Sequence, residues 1–216
     1  LFSGAGIGDI GLRASGFNFL GFCELEGDRL QLTESNFPNA KFFVGDIWES
    51  YKEVISYFKD KELKLISCTA PCQGMSKNGQ GTLLKNIREG KRPKLDPRNR
   101  LIIPALEIIK ALKPEFVIFE NVPEMRRTYI ENSEGEVVSI LQLIDKELKS
   151  LYVGCAYDVE FADYGIPQRR QRLITVYSKN SFHINNFSDG IDLVPPPTHS
   201  KVPTEDRKSW ISVMEA

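Results

Sequence analysis

Short apolar runs rich in β-branched and aromatic residues alternate with amphipathic stretches along most of this chain. That alternation predicts βαβ units and a largely parallel sheet. Strands are expected over residues 19–23, 42–44, 65–68, 116–120, 157–161 and 173–177. Helices are expected over 7–15, 28–37, 51–58, 101–112 and 139–151. In the fourth of these, Leu101, Ala105, Ile108, Ile109 and Leu112 share one face at helical spacing. Pro114 follows, where a helix has to stop. The opening residues read as the end of a strand already under way, so the natural N-terminus is expected upstream. From His183 onward the alternation fails, and the run VPPPTHSKVPTEDRKS is proline-rich and polar. The expected organisation is one α/β domain over residues 1–180 and a connector over 181–216.

With 216 residues, 41% of them hydrophobic and 26% charged, the chain has the make-up of an ordinary globular domain. No stretch approaches the roughly 18 uninterrupted apolar residues of a membrane helix, so no membrane partner is expected. Nothing at the start reads as a signal peptide. Cys23, Cys68, Cys72 and Cys155 show no paired spacing, and His183 and His199 are not near them. No metal site is expected from that pattern. Unpaired thiols without a secretion signal suit a reducing cytoplasm. A net charge of −1 does not mark a nucleic-acid binder, but the distribution matters more than the sum. Lys85, Arg88, Lys91, Arg92, Lys94, Arg98 and Arg100 are answered in their stretch only by Glu89 and Asp96. A solvated loop would account for such a run, and its place just after Cys72 points to phosphate contact.

Four segments carry candidate chemistry. In Ser3-Gly4-Ala5-Gly6-Ile7-Gly8-Asp9-Ile10-Gly11, glycines between a strand and a helix let backbone amides approach a ligand closely. Gly6, Gly8 and Gly11 satisfy the dinucleotide pattern, which glycine-rich turns also do merely to start helices. Glu24 ends the next strand, where an acid can take a ribose hydroxyl pair. Asp46 is a second acid at a strand's C-terminal end, and ligands of open α/β sheets bind there. Adenosine needs such partners and has no pyrophosphate to cradle, so a nucleoside cofactor fits. The second segment, Ala70-Pro71-Cys72-Gln73-Gly74-Met75-Ser76, sets Cys72 at a strand-to-loop junction. That suits an exposed nucleophile, whereas Cys68 inside the strand suits the core. Third, four apolar residues run straight into Glu120, a carboxylate costly to desolvate without work or a partner. Last, Arg170 and Arg172 stand two apart in an extended segment and so share a side, with Arg169 facing away. A nearby anion would relieve their repulsion, and so would a surface salt bridge.

The ordered set LFSGAGIG, CELE, GDI, APCQGMS, FENV and QRRQR resembles the cytosine-C5 DNA methyltransferases over about residues 1–178. The resemblance implies a Rossmann-like, S-adenosylmethionine-dependent methyltransferase sheet with helices on both faces. It implies methyl transfer from S-adenosylmethionine to carbon 5 of a flipped cytosine in double-stranded DNA, through a covalent Cys72 adduct, in a restriction-modification setting. Cys72 is then the nucleophile and Glu120 its partner carboxylate, with Arg172 and Arg170 beside the target base. Phe2, Gly4, Gly6, Glu24, Leu25, Asp46, Ile47, Pro71 and Leu101 take cofactor positions. Gln73 and Ser76 fall where the family touches DNA.

Three departures accompany the resemblance. Thr69-Ala70 precedes Pro71 where the family often has small Gly or Pro, and Met75 stands where Phe is usual. The chain also stops at Ala216, close to where the family's target-recognition region begins. That makes residues 181–216 a connector towards such a region, found downstream or on a second subunit. The same chemistry on tRNA remains an alternative, as does a non-catalytic cofactor-binding fragment that needs a partner. A nicotinamide dehydrogenase would explain the glycines but leave Cys72, Glu120 and Arg172 without a purpose.

Overall fold

The computed structural model describes residues 1–75, 89, 95–180 and 193–216. Its first strands, β1 (Gly21–Glu24) and β2 (Lys41–Val44), run parallel with Glu24 opposite Val44. They are joined by helix α2 (Gly27–Asn36), as a right-length parallel crossover requires. A four-stranded sheet follows in the order β3 (Leu65–Cys68), β4 (Phe116–Asn121), β8 (Gln171–Lys179), β7 (Tyr152–Glu160). β3 and β4 are parallel, while β8 runs antiparallel to both β4 and β7. Of these strands β8 alone runs against the others, since β7, antiparallel to β8, points the same way as β4. Between β7 and β8 the chain forms only a 3-10 turn, Phe161–Tyr164, and a short loop, too little for a helical crossover.

Residues 1–3 bridge the two sheets. Leu1 N donates to Ser67 O at 2.7 Å, Thr69 N to Leu1 O at 3.2 Å, and Ser3 N to Cys23 O at 3.1 Å. This is a parallel pattern, so the C-terminal ends of β1 to β4 all open at one edge.

Period-two alternation places helices on both faces. Phe22 joins Leu30 and Phe37 of the α2 side, while its neighbour Cys23 joins the main core. α1 (Ile7–Ala14) starts directly from the glycine turn. α4 (Ile102–Leu112) packs between α3 (Ile47–Phe58) and α5 (Ile140–Leu148). Neighbours on two sides bury Ile102, Ile103 and Leu106 as well as Ala105, Ile108 and Ile109 of the predicted stripe, whose end residues Leu101 and Leu112 are half-buried. α3 begins earlier than expected because Asp46 caps it. Before α5, a small antiparallel hairpin pairs β5 (Tyr129–Glu131) with β6 (Val137–Ser139), which the hydrophobic pattern did not reveal.

The segment 193–216 lies against the β7–β8 connection. Trp210 Nε1 donates to Asp163 Oδ1 at 2.8 Å, Thr198 N donates to Asp163 O, and Tyr164 Oη donates to Pro195 O. Two-residue strands β9 (His199–Ser200) and β10 (Lys208–Ser209) pair in parallel there. Among the described residues, no helix is long and apolar enough to cross a membrane.

Candidate active site

At the end of β3 the chain passes from core to solvent within a few residues. Cys68 is buried, and burial pushes its thiol up to about 11. Cys72 is exposed. Its loop is tied down on both flanks. Asn121 Nδ2 donates to Ala70 O at 2.9 Å, and Thr69 Oγ1 donates to Phe2 O at 2.8 Å. Beyond Cys72, Gln73–Met75 form one turn of 3-10 helix, with Met75 N bonded to Cys72 O and the Met75 side chain sunk in the core. Met75 thus anchors the turn from below while Cys72 stands out of it.

Gln73 is gripped from across the cleft. Arg98 forks onto both oxygens of Asp96 and donates Nη1 to Gln73 Oε1 at 3.0 Å. The Arg98 guanidinium holds the Asp96 carboxyl below its ordinary range. Glu120, at the end of β4, has a partner: Arg172 Nε lies 2.6 Å from its Oε1. The antiparallel β4–β8 register sets Glu120 opposite Ile174, which brings Arg172 to the same strand end. Arg169 turns elsewhere, its guanidinium 5.3 Å from the Trp210 ring centre.

The glycine turn closes on Glu24, which is 7% exposed. Gly4 N donates to Glu24 Oε2 at 2.8 Å, and Glu26 N and Arg29 Nη1 approach Oε1 at 3.3 and 3.5 Å. Gly6 caps α1 with φ 70°, and an added Cβ would stand 2.9 Å from Thr33 Cγ2. Only glycine suits that position. Phe2 also adopts a positive φ of 61°, uncommon for a bulky residue and a kind of strain that gathers at ligand sites. Asp46 caps α3, accepting Trp48 N at 2.9 Å.

These pieces meet in one cleft of 660 Å³, within the size range of small-molecule sites. Of the residues picked out by sequence, Phe2, Gly4, Glu24, Leu25, Asp46, Ile47, Pro71, Cys72, Gln73, Leu101, Glu120, Arg170 and Arg172 line it. Gly6 does not; it lies behind the turn, against Thr33. Ser76 lies outside the described residues, as does the basic run except Arg98 and Arg100. A second cavity of 490 Å³, lined in part by residues of β1 and β3, holds none of the candidate site residues. Among the described residues, no group of three or more His, Cys, Asp and Glu is placed to hold a metal ion.

The family model of C-5 cytosine-specific DNA methylases matches residues 1–214. This chain belongs to that family. It is 33% identical over 184 residues to the Type II methyltransferase M1.HgaI of Avibacterium volantium, covering 83% of this chain and 49% of that protein. It is 28% identical over 207 residues to the Type II methyltransferase M.AquIA of Picosynechococcus, covering 92% of this chain and 75% of that protein. The chain spans about half the length of the curated relatives that head the comparison. Its fold resembles that of a Spodoptera frugiperda DNMT2, with a TM-score of 0.60 at 17% identity, over 95% of this chain and 58% of that one.

Three residues of this family member's cleft escape a reading of the sequence: Asn121, Arg98 and Trp48. Asn121 stood beside Glu120 in the same motif, and its strand-end position was the available signal. Arg98 was visible only as one charge in a basic run.

Proposed function

We propose that this chain carries the chemistry of DNA cytosine-C5 methylation, in the bacterial restriction-modification setting that its relatives' names indicate. The observation that carries the reading is the exposed Cys72 in one cleft with the Glu120–Arg172 pair and the Glu24-closed glycine turn. The cleft fits an adenosyl cofactor. Glu24 is a buried carboxylate with lone pairs to spare, and Asp46 stands on the neighbouring strand end. S-adenosylmethionine held there supplies an electrophilic methyl group for carbon 5 of the base.

The chain's own residues do the rest. A duplex hides carbon 6 of cytosine within the stack, so the base must be flipped out, at a cost of a few kcal/mol. The Cys72 thiolate adds to carbon 6, and electron density moves to carbon 5. Glu120 accepts from the exocyclic amine and, carrying a proton, donates it towards N3, offsetting charge that builds on the ring as the thiolate adds. Arg172 holds that carboxyl group in place and, with Arg170, presents donors to the flipped base. Once carbon 5 is methylated, loss of its proton expels the thiolate and restores the ring. Residues 181–216 are read as the connector towards a region that selects the target sequence, because base-edge contacts choose a site while phosphate contacts only position the protein.

A duplex carrying 5-fluorocytosine at the target tests this with the full-length protein. Fluorine cannot leave as the proton does, so the adduct persists and the protein stays covalently bound to DNA. Cys72→Ser is expected to abolish both the adduct and turnover while leaving cofactor affinity within a few-fold. Turnover close to wild type in Cys72→Ser overturns the assignment. Methyl transfer to tRNA in place of DNA transfers the same chemistry to an RNA substrate.

A further inference from the structure

We propose that Trp48 forms the aromatic wall of the adenine subsite, its indole stacking on the purine of the S-adenosyl cofactor. The inference rests on the cofactor reading above and adds a residue to it. β1 and β2 are parallel neighbours, so the residues that follow Glu24 and Val44 leave one edge roughly 5 Å apart. Asp46 comes off the second of these strands and caps α3 through the backbone N–H of Trp48. That bond fixes the backbone of Trp48 in the first helical turn, at the cleft. The indole is 40% exposed, though it is one of only two tryptophans in the chain.

Two further observations point to a flat aromatic occupant. The Arg100 guanidinium carbon lies 5.9 Å from the Trp48 ring centre, close enough for a cation–π contact that steadies the ring. Of the apolar side chains along the cleft, Leu25 and Trp48 are the large ones left exposed among the described residues, Leu25 at 64%. Leu25 follows β1 and Trp48 follows β2. A ring bound near the Glu24 and Asp46 carboxylates would cover apolar surface from both strand ends, and an indole adds the offset stacking that an aliphatic residue lacks. The nucleophile and its partners belong to β3, β4 and β8, on the other side of residues 1–3. Trp48 is therefore a positioning residue for the cofactor rather than for the base.

Emission from the two tryptophans, with the 216-residue chain as it stands, supplies the test. Trp210 is bonded to Asp163 away from the cleft and serves as an internal reference. S-adenosylhomocysteine is expected to quench part of the emission, adenosine alone to do the same, and methionine alone to do neither. Trp48→Phe removes the cofactor-dependent change. In calorimetry, Trp48→Ala weakens S-adenosylhomocysteine binding roughly five- to tenfold, and Trp48→Phe rescues most of that loss. Calorimetric binding by wild type without any change in emission overturns the inference, as does binding by Trp48→Ala within twofold of wild type; both leave the cofactor reading standing. No calorimetric binding by wild type overturns the cofactor reading itself, and this inference with it.

Discussion

Cys68 ends β3 in the core, and Cys72 stands exposed in the loop four residues on. Burial pushes both the Cys68 and the Cys23 thiols from the ordinary 9.0 up to about 11, which suits them to packing and not to reaction. The same burial sets a pH limit on the fold. Below pH 9 the thiols are protonated in folded and unfolded chains alike, and their contribution to stability is complete. As pH rises from 9 towards about 11, the unfolded chain gains thiolates that the folded one resists, and stability falls. Buried Tyr152 and Tyr177, also raised by desolvation, add to the loss at the upper end. Urea midpoints between pH 8 and 11 check this, and a flat profile contradicts it. At this scale the sequence was readable wherever a reactive type stood at a strand end, as Cys72, Glu120, Glu24 and Asp46 do. It was unreadable where a residue's importance comes from a distant partner. Nothing near Asn121 announces Ala70, and nothing near Arg98 announces Gln73.

Among the elements, helices and parallel strands were legible because their apolar periods are long or uninterrupted. The β5–β6 hairpin was not, since its three-residue strands are too short for a period to register. Its turn carries the clearer signal: Asn132 Oδ1 accepts from Glu134 N and Glu136 N, and Gly135 has φ 82°. That is side-chain-to-backbone turn chemistry, placed between strands too brief to see. β7 was foreseen only in its second half because its outer residues alternate poorly; Val153 and Cys155 are both exposed. Within it Gly154 packs directly on β8, and a Cβ there would collide with Val176 O and Tyr177 Cα. Gly154→Ala is expected to cost about 1–3 kcal/mol by forcing the two strands apart. A denaturant midpoint unchanged by the substitution would show that the hairpin can yield.

Over the whole molecule, the cleft draws on the chain from Phe2 to Arg172, so no fragment smaller than the domain can hold it. A ligand that binds only the folded chain stabilises it by mass action. S-adenosylhomocysteine at about 100 times its dissociation constant is expected to raise unfolding stability by about 2.7 kcal/mol, read as a shift in denaturant midpoint. No shift at saturation would mean that the cleft does not take the cofactor. The bridge made by residues 1–3 has a mechanical corollary. The carboxylates Glu24 and Asp46 ride on one plate of the sheet, and Cys72 and Glu120 ride on another. Among the described residues, the backbone bonds of Leu1 and Ser3 stitch those plates together. Under the proposed function, the spacing between the carboxylates that would hold the methyl donor and the thiol that would hold the base is therefore set in part by a seam three residues wide.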